Sequence, residues 1–172
     1  SRIKKEAEIM KKVIVYLISL FIGTVVLGNV VKYSDLMSGK TTYSLVDNYL
    51  DYGNSVLSID IQFTVSVPSD SDEILLSVVN TTDKITIESN SLILHGNNFN
   101  KEYKLYDFNV IRLDCCEGTE TRDFLIPGSE LIAWITSENP AITILGKKIN
   151  LSAKISDEVV FNIKDFYYNF LR

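Results

Sequence analysis

The chain has 172 residues, with 17 Lys and Arg against 22 Asp and Glu, one histidine and two adjacent cysteines. A formal net charge of −5 argues against nucleic acid or anionic lipid headgroups as ligands. One histidine leaves no His-rich metal cluster, and any nucleophile–histidine arrangement would depend on that single ring.

Residues 1–12 form a basic segment, with Arg2, Lys4, Lys5, Lys11 and Lys12 against Glu6 and Glu8. Lys4 to Ala7 back-translates to a purine-rich stretch ahead of Met10, so residues 1–9 also fit a misread start. The run from Val13 to Val31 carries no charge; as a helix it would span roughly 28 Å, close to the roughly 30 Å of a bilayer core. Basic residues ahead of it predict a cytoplasmic N-terminus and an exported remainder. Two outcomes fit: a retained single-pass anchor, or a signal cleaved near Val26-Leu27-Gly28 that leaves a surface or secreted domain. Ser19 with Gly23, and Thr24 with Gly28, are small-residue pairs suited to close helix packing.

Tyr33, Leu36, Met37, Tyr43, Val46, Tyr49 and Leu50 fall at helical spacings. They predict that the apolar helix continues as an amphipathic spine, so that residues 13–52 form one long helix with a weak point at Ser38-Gly39. Gly53-Asn54 would end it.

From Leu57 to Val67 apolar and polar residues alternate without a break, the pattern of a half-buried strand. Pro68 and the acidic stretch to Asp72 close it. Further strands are predicted over 74–79, 84–88, 91–95, 103–113, 123–126, 130–136, 141–145, 147–155 and 158–164, most of them separated by turn residues. This succession predicts a β-sandwich ectodomain over 55–172. The fold class expected is therefore an N-terminal hydrophobic α-helix, transmembrane or filament-core, followed by an all-β antiparallel sandwich. The core would take the inward residues of the first strand with Leu75, Ile85, Ile87, Leu92, Leu94, Leu113, Leu131, Ala133, Ile142, Ile144, Ile149, Leu151 and Phe161. Trp134 would lie on an outer face, and the aromatic tail from Phe166 to Leu171 would dock on its own domain or on a neighbour.

Chemistry-bearing residues are sparse. His95 ends a strand before Gly96 and reads as structural or exposed. No phosphate-binding glycine loop and no cofactor motif is present, and no catalytic residue, cofactor or metal is expected. Glu117, Glu120, Asp70, Asp72 and Glu73 read as solvated loop acids, and the Asp70–Glu73 stretch lacks the rest of a calcium loop. Cys115 and Cys116 cannot staple distant strands. They are open to a strained vicinal disulfide, to reduced thiols or to intermolecular bonds. Asn80-Thr81-Thr82 and Asn150-Leu151-Ser152 match the glycosylation pattern, which makes Asn80 and Asn150 candidate acceptors.

The layout as a whole, KKVIVYLISLFIGTVVLGNVV as helix and LSIDIQFTVSVP as first strand, resembles type IV pilins and archaeal pilin-like proteins. That resemblance implies a non-enzymatic subunit of a surface filament or envelope assembly, which associates with itself or with other envelope proteins. The alternative is a membrane-tethered or secreted β-sandwich binding module for a protein or glycan partner.

Overall fold

A computed structural model describes residues 26–27, 29–35, 38–51, 58–69, 71–81, 87–112, 118–147 and 149–171. The basic segment 1–12, the packing residues Ser19, Gly23, Thr24 and Gly28, and Cys115-Cys116 lie outside them.

The described chain forms two antiparallel sheets and two helices. The larger sheet has seven strands in the order β1-β2-β3-β4-β5-β9-β8: β1 (Val26–Leu27), β2 (Val30–Asp35), β3 (Lys40–Leu45), β4 (Ile59–Val67), β5 (Glu73–Thr81), β9 (Gly118–Pro127) and β8 (Asp107–Arg112). The smaller has four in the order β11-β10-β6-β7: β11 (Asn150–Lys154), β10 (Ala141–Gly146), β6 (Ser89–Gly96) and β7 (Phe99–Lys104). Helix α1 (Gly128–Ile135) links β9 to β10, and α2 (Asp157–Phe170) closes the chain. Every strand pairing is antiparallel.

The expected helix over 13–52 is overturned wherever it can be tested. Val30–Asp35 and Lys40–Leu45 form a β-hairpin, Val31 opposite Ser44 and Tyr33 opposite Thr42. β-branched and aromatic residues dominate both arms, and they favour the pleated surface. Ser38-Gly39, the weak point of the supposed helix, is the turn. Gly39 has φ +67 and its amide donates to the Asp35 carbonyl, while the Ser38 hydroxyl donates to the Asp35 carboxylate. No helix among the described residues is long and apolar enough to cross a membrane.

Two expected strands are also helices. Residues 130–136 belong to α1, whose buried side chains Leu131, Trp134 and Ile135 follow helical spacing and leave Ala133 exposed. Trp134 is therefore fully buried, and its indole donates to the carbonyls of His95 and Ala141. Residues 158–164 belong to α2. Ser156 caps it by accepting from the Val159 amide, and Asp157 and Glu158 complement its N-terminal dipole. The buried face of α2 is Val159, Ile163 and Phe166, which turns Phe161 out to solvent at 69 % exposure. The aromatic tail docks on its own domain: the Phe170 ring stacks on Tyr43 at 4.3 Å between centroids.

The period-2 strand appears as β4. Ile59, Ile61, Phe63 and Val65 are buried, and Val67 has emerged at the sheet's end. The inner face of the large sheet continues through Ile74, Leu76, Val78, Phe124 and Ile126. α2 covers this face at β3 and β4, and α1 packs against β9, β6 and β7. Leu92, Leu94, Ile142, Ile144 and Leu151 of the small sheet complete a single hydrophobic core. Of the other expected core residues, Leu75 and Ile149 are half-buried. The strand expected over 103–113 is divided between β7 and β8, and the break carries the chain from one sheet to the other.

Candidate functional site

Two interior carboxylates are engaged in holding main-chain amides and one neighbouring side chain each. Asp60 accepts the amides of Asp47 and Asn48, at 3.3 and 2.6 Å, and the side-chain amide of Gln62 at 2.8 Å. These bonds hold the loop before β4, where Asp47 has φ +61. Glu120, expected as a solvated loop acid, is buried in β9. It accepts the amides of Ile87 and Glu88 at 2.7 and 2.8 Å and the Arg122 guanidinium at 2.7 Å. The pair thus fixes the chain where it crosses to the small sheet, and an ion pair buried this deeply is tolerable only because its oxygens are occupied. Neither carboxylate has the freedom that a general acid or base needs.

A third carboxylate ties α1 to β7. Glu130 accepts from the Tyr103 hydroxyl at 2.7 Å and from the Lys101 ammonium. The hydrogen bond from Lys101, then that from Tyr103, holds the Glu130 carboxyl below its ordinary range. Burial, and then Glu130, pushes the Tyr103 phenol up.

The residues left accessible converge beside His95. A cleft of about 400 Å³ is lined by His95, Gly96, Asn97, Asn139, Ala141, Ser152, Ala153 and Lys154. One wall is the turn between β6 and β7; the second is the loop after α1; the third is β11. The first two walls are tied together, because Asn97 donates its backbone amide to the Glu138 carbonyl at 2.9 Å and its side-chain amide to the Glu138 carboxylate at 2.7 Å. Gly96 makes this closeness possible: a Cβ there would lie 2.0 Å from the Ser137 hydroxyl oxygen. Asn139 stands at the rim with φ +53.

Strand register supplies the floor. His95 lies opposite Ala141, and Thr143 lies opposite Ser152. His95 Nε2 and the Thr143 hydroxyl share a hydrogen bond of 3.0 Å, and the Thr143 and Ser152 hydroxyls share one of 2.9 Å. The result is a relay of imidazole and two hydroxyls across β6, β10 and β11. No carboxylate lines the cleft among the described residues, so its side chains present amide, hydroxyl, imidazole and ammonium groups. Such a set can hold a polar ligand by hydrogen bonds and complement a negative charge through Lys154.

Of the residues singled out in the sequence, only His95 takes part in this site. Asp72 and Glu73 are exposed at the start of β5, and the Asp72 carbonyl accepts the Gly128 amide at 2.7 Å. Asn80 is 2 % exposed, between Ile59 and Glu120 in the ladder, whereas Asn150 is exposed at the start of β11. Asn97, Asn139, Ser152 and Lys154 carried no signal of their own, since only the pairing of distant strands unites them. No group of three or more His, Cys, Asp or Glu suited to a metal ion occurs among the described residues.

The fold is a two-sheet, β-sandwich-like architecture with two short helices. No family model, no curated protein and no solved structure matches the chain.

Proposed function

We propose that this chain is a non-catalytic binding module whose ligand is a hydroxyl-rich molecule, such as a short glycan, held in the cleft beside His95. The observation that carries this reading is the cleft's composition: a 400 Å³ recess with side-chain amide, hydroxyl, imidazole and ammonium groups on three walls. Sugars offer donors and acceptors together, and Asn97, Asn139 and Ser152 match them with groups of both kinds. His95 is joined to hydroxyl groups, an arrangement that orients the imidazole without giving it a carboxylate partner. Lys154 favours sugars that carry a carboxylate or sulfate.

A glycan array probed with the full chain and with a His95→Ala/Lys154→Glu variant tests the reading. Retention of neutral or acidic oligosaccharides by the parent, reduced at least about tenfold in the variant, is expected from the loss of two or more polar contacts. Equal retention by both proteins, or none by the parent, would overturn it.

A further inference from the structure

The relay beside the cleft can run in two directions, and one ring sets the choice. His95 is half-buried near the end of β6, Thr143 is half-buried in β10, and Ser152 is exposed in β11. Thr143 stands between the other two, 3.0 Å from the imidazole Nε2 and 2.9 Å from the Ser152 hydroxyl oxygen. A threonine hydroxyl has one hydrogen to give and two lone pairs that receive. Where Nε2 is bare, that hydrogen goes to the ring. The bond between Thr143 and Ser152 then takes the Ser152 hydrogen, and Ser152 offers the cleft only lone pairs. Where Nε2 carries a proton, the ring donates to Thr143, and Thr143 is free to donate to Ser152. The Ser152 hydrogen is then released to the cleft with the relay intact.

A neutral ring takes either form, because its proton sits on Nδ1 or on Nε2, whereas an imidazolium takes only the second. A proton gained from solvent by His95 therefore commits Ser152 to donate. Ser152 and Lys154 are two residues apart on β11, so both donors stand on one face of the strand and line the same cleft. The other charged groups on the elements around the ring have partners. Glu138, in the loop after α1, accepts from Asn97, and Glu102 of β7, opposite Ile93, accepts from Lys104. Lys101 reaches Glu130, and β10 presents Ala141 opposite the ring and no charge of its own.

His95 is the chain's one histidine, the side-chain type that changes charge between pH 5 and 8. Lys104 holds the Glu102 carboxyl below its ordinary range, Lys101 does the same for Glu130, and burial pushes the Tyr103 phenol up. All three move away from that window. We infer, resting on the glycan reading above, that His95 acts through Thr143 and Ser152 as a pH-dependent selector, which turns the cleft toward sugars bearing a sulfate or carboxylate in mild acid. Ser152 is then the specificity-determining group and Thr143 a positioning residue. In the acid form the imidazolium, the Ser152 hydroxyl and the Lys154 ammonium present donors and positive charge together. In the neutral form Ser152 also accepts, which suits the hydroxyl donors of an uncharged sugar.

Retention on an array of oligosaccharides paired with and without one sulfate ester, read at pH 5 and pH 8, tests the selector. The sulfate stays ionised at both. The parent should hold sulfated members at least about tenfold more tightly at pH 5, with a smaller change for their neutral pairs. Thr143→Val keeps the side-chain shape and the imidazole but cuts the relay, and should bring that ratio below about threefold. Thr143→Ser should restore it, and Ser152→Ala should lose it. An equal ratio in the parent and Thr143→Val means that the ring acts by its charge alone; that result, or a parent ratio near one, overturns the selector and leaves the glycan reading standing. No retention of any member at either pH overturns both. A ligand-free titration followed by NMR gives an independent reading. The Ser152 amide should track the His95 ring nitrogens in the parent and cease to do so in Thr143→Val; a Ser152 amide indifferent to the ring in the parent overturns the relay whatever the array shows. If Thr143→Val fails to fold, Ser152→Ala on the array and the parent titration still decide.

Discussion

The large sheet and the small sheet handle their polar side chains in opposite ways. In the large sheet, Asp60 and Glu120 are buried, and each has three hydrogen bonds to main-chain amides and a neighbouring side chain. In the small sheet, His95, Thr143 and Ser152 form a chain of hydrogen bonds that runs along an open cleft and ends among groups free to meet a ligand. A buried carboxylate whose acceptors are all filled by the protein contributes to architecture. A half-exposed polar group beside a recess retains capacity for something else.

That contrast is broken most severely at Glu120. Glu120→Ala leaves the Arg122 guanidinium buried without its partner and two amides without an acceptor, and should destabilise the fold by about 3–5 kcal/mol in urea denaturation. A loss under about 1 kcal/mol would remove Glu120 from the architectural class. Asp60→Ala should cost about 1–3 kcal/mol by the same measurement, since Asp47 and Asn48 lose their acceptor. Trp134→Phe keeps the buried ring but removes the indole donor to His95 and Ala141, so a loss of about 1–2 kcal/mol is expected, with loosened cleft walls visible in amide exchange.

Glu130 sharpens the comparison through pH. Its carboxyl is held below its ordinary range in the folded chain, so the stabilisation it gives is present above its unfolded pKa. That contribution is lost as pH falls through the lower folded value. Denaturant midpoints measured down to acid pH should therefore fall less steeply for Glu130→Gln than for the parent. The smallest effect belongs to the cleft: His95→Ala/Lys154→Glu should move stability by no more than about 1 kcal/mol while it weakens ligand retention.

Legibility in the sequence followed the length and purity of each pattern. β4 was plain because eleven residues alternate without fault, and β5, β6 and β10 were bounded by turn residues. Residues 130–136 satisfy both periods over so short a window. The decision there comes from tertiary packing, which buries Leu131, Trp134 and Ile135 together. α2 did announce itself, through Ser156 followed by Asp157 and Glu158 and then Val159, Ile163 and Phe166, but the β-branched Val159-Val160 masked that cap. Helical spacing at Tyr33, Tyr43, Val46 and Leu50 was coincidental; the Asp35 to Lys40 turn and the β-branched arms prevail.

The candidate site was legible only as a single histidine. Thr143 and Ser152 lie 48 and 57 positions beyond His95, and the β6–β10–β11 register brings them together. Glu120 is hidden for a similar reason: its position among Thr and Gly residues reads as a loop until β9 pairs with β5 and the two amides at 87 and 88 are set against it.

The most direct test of the division between architecture and binding is amide chemical-shift mapping of the full chain during titration with an oligosaccharide that the array selects. The account predicts perturbations confined to Asn97, Asn139, Ser152, Lys154 and their neighbours, with Asp60, Glu120 and β8 unmoved. Perturbations centred on the large sheet, with the cleft residues silent, would contradict it.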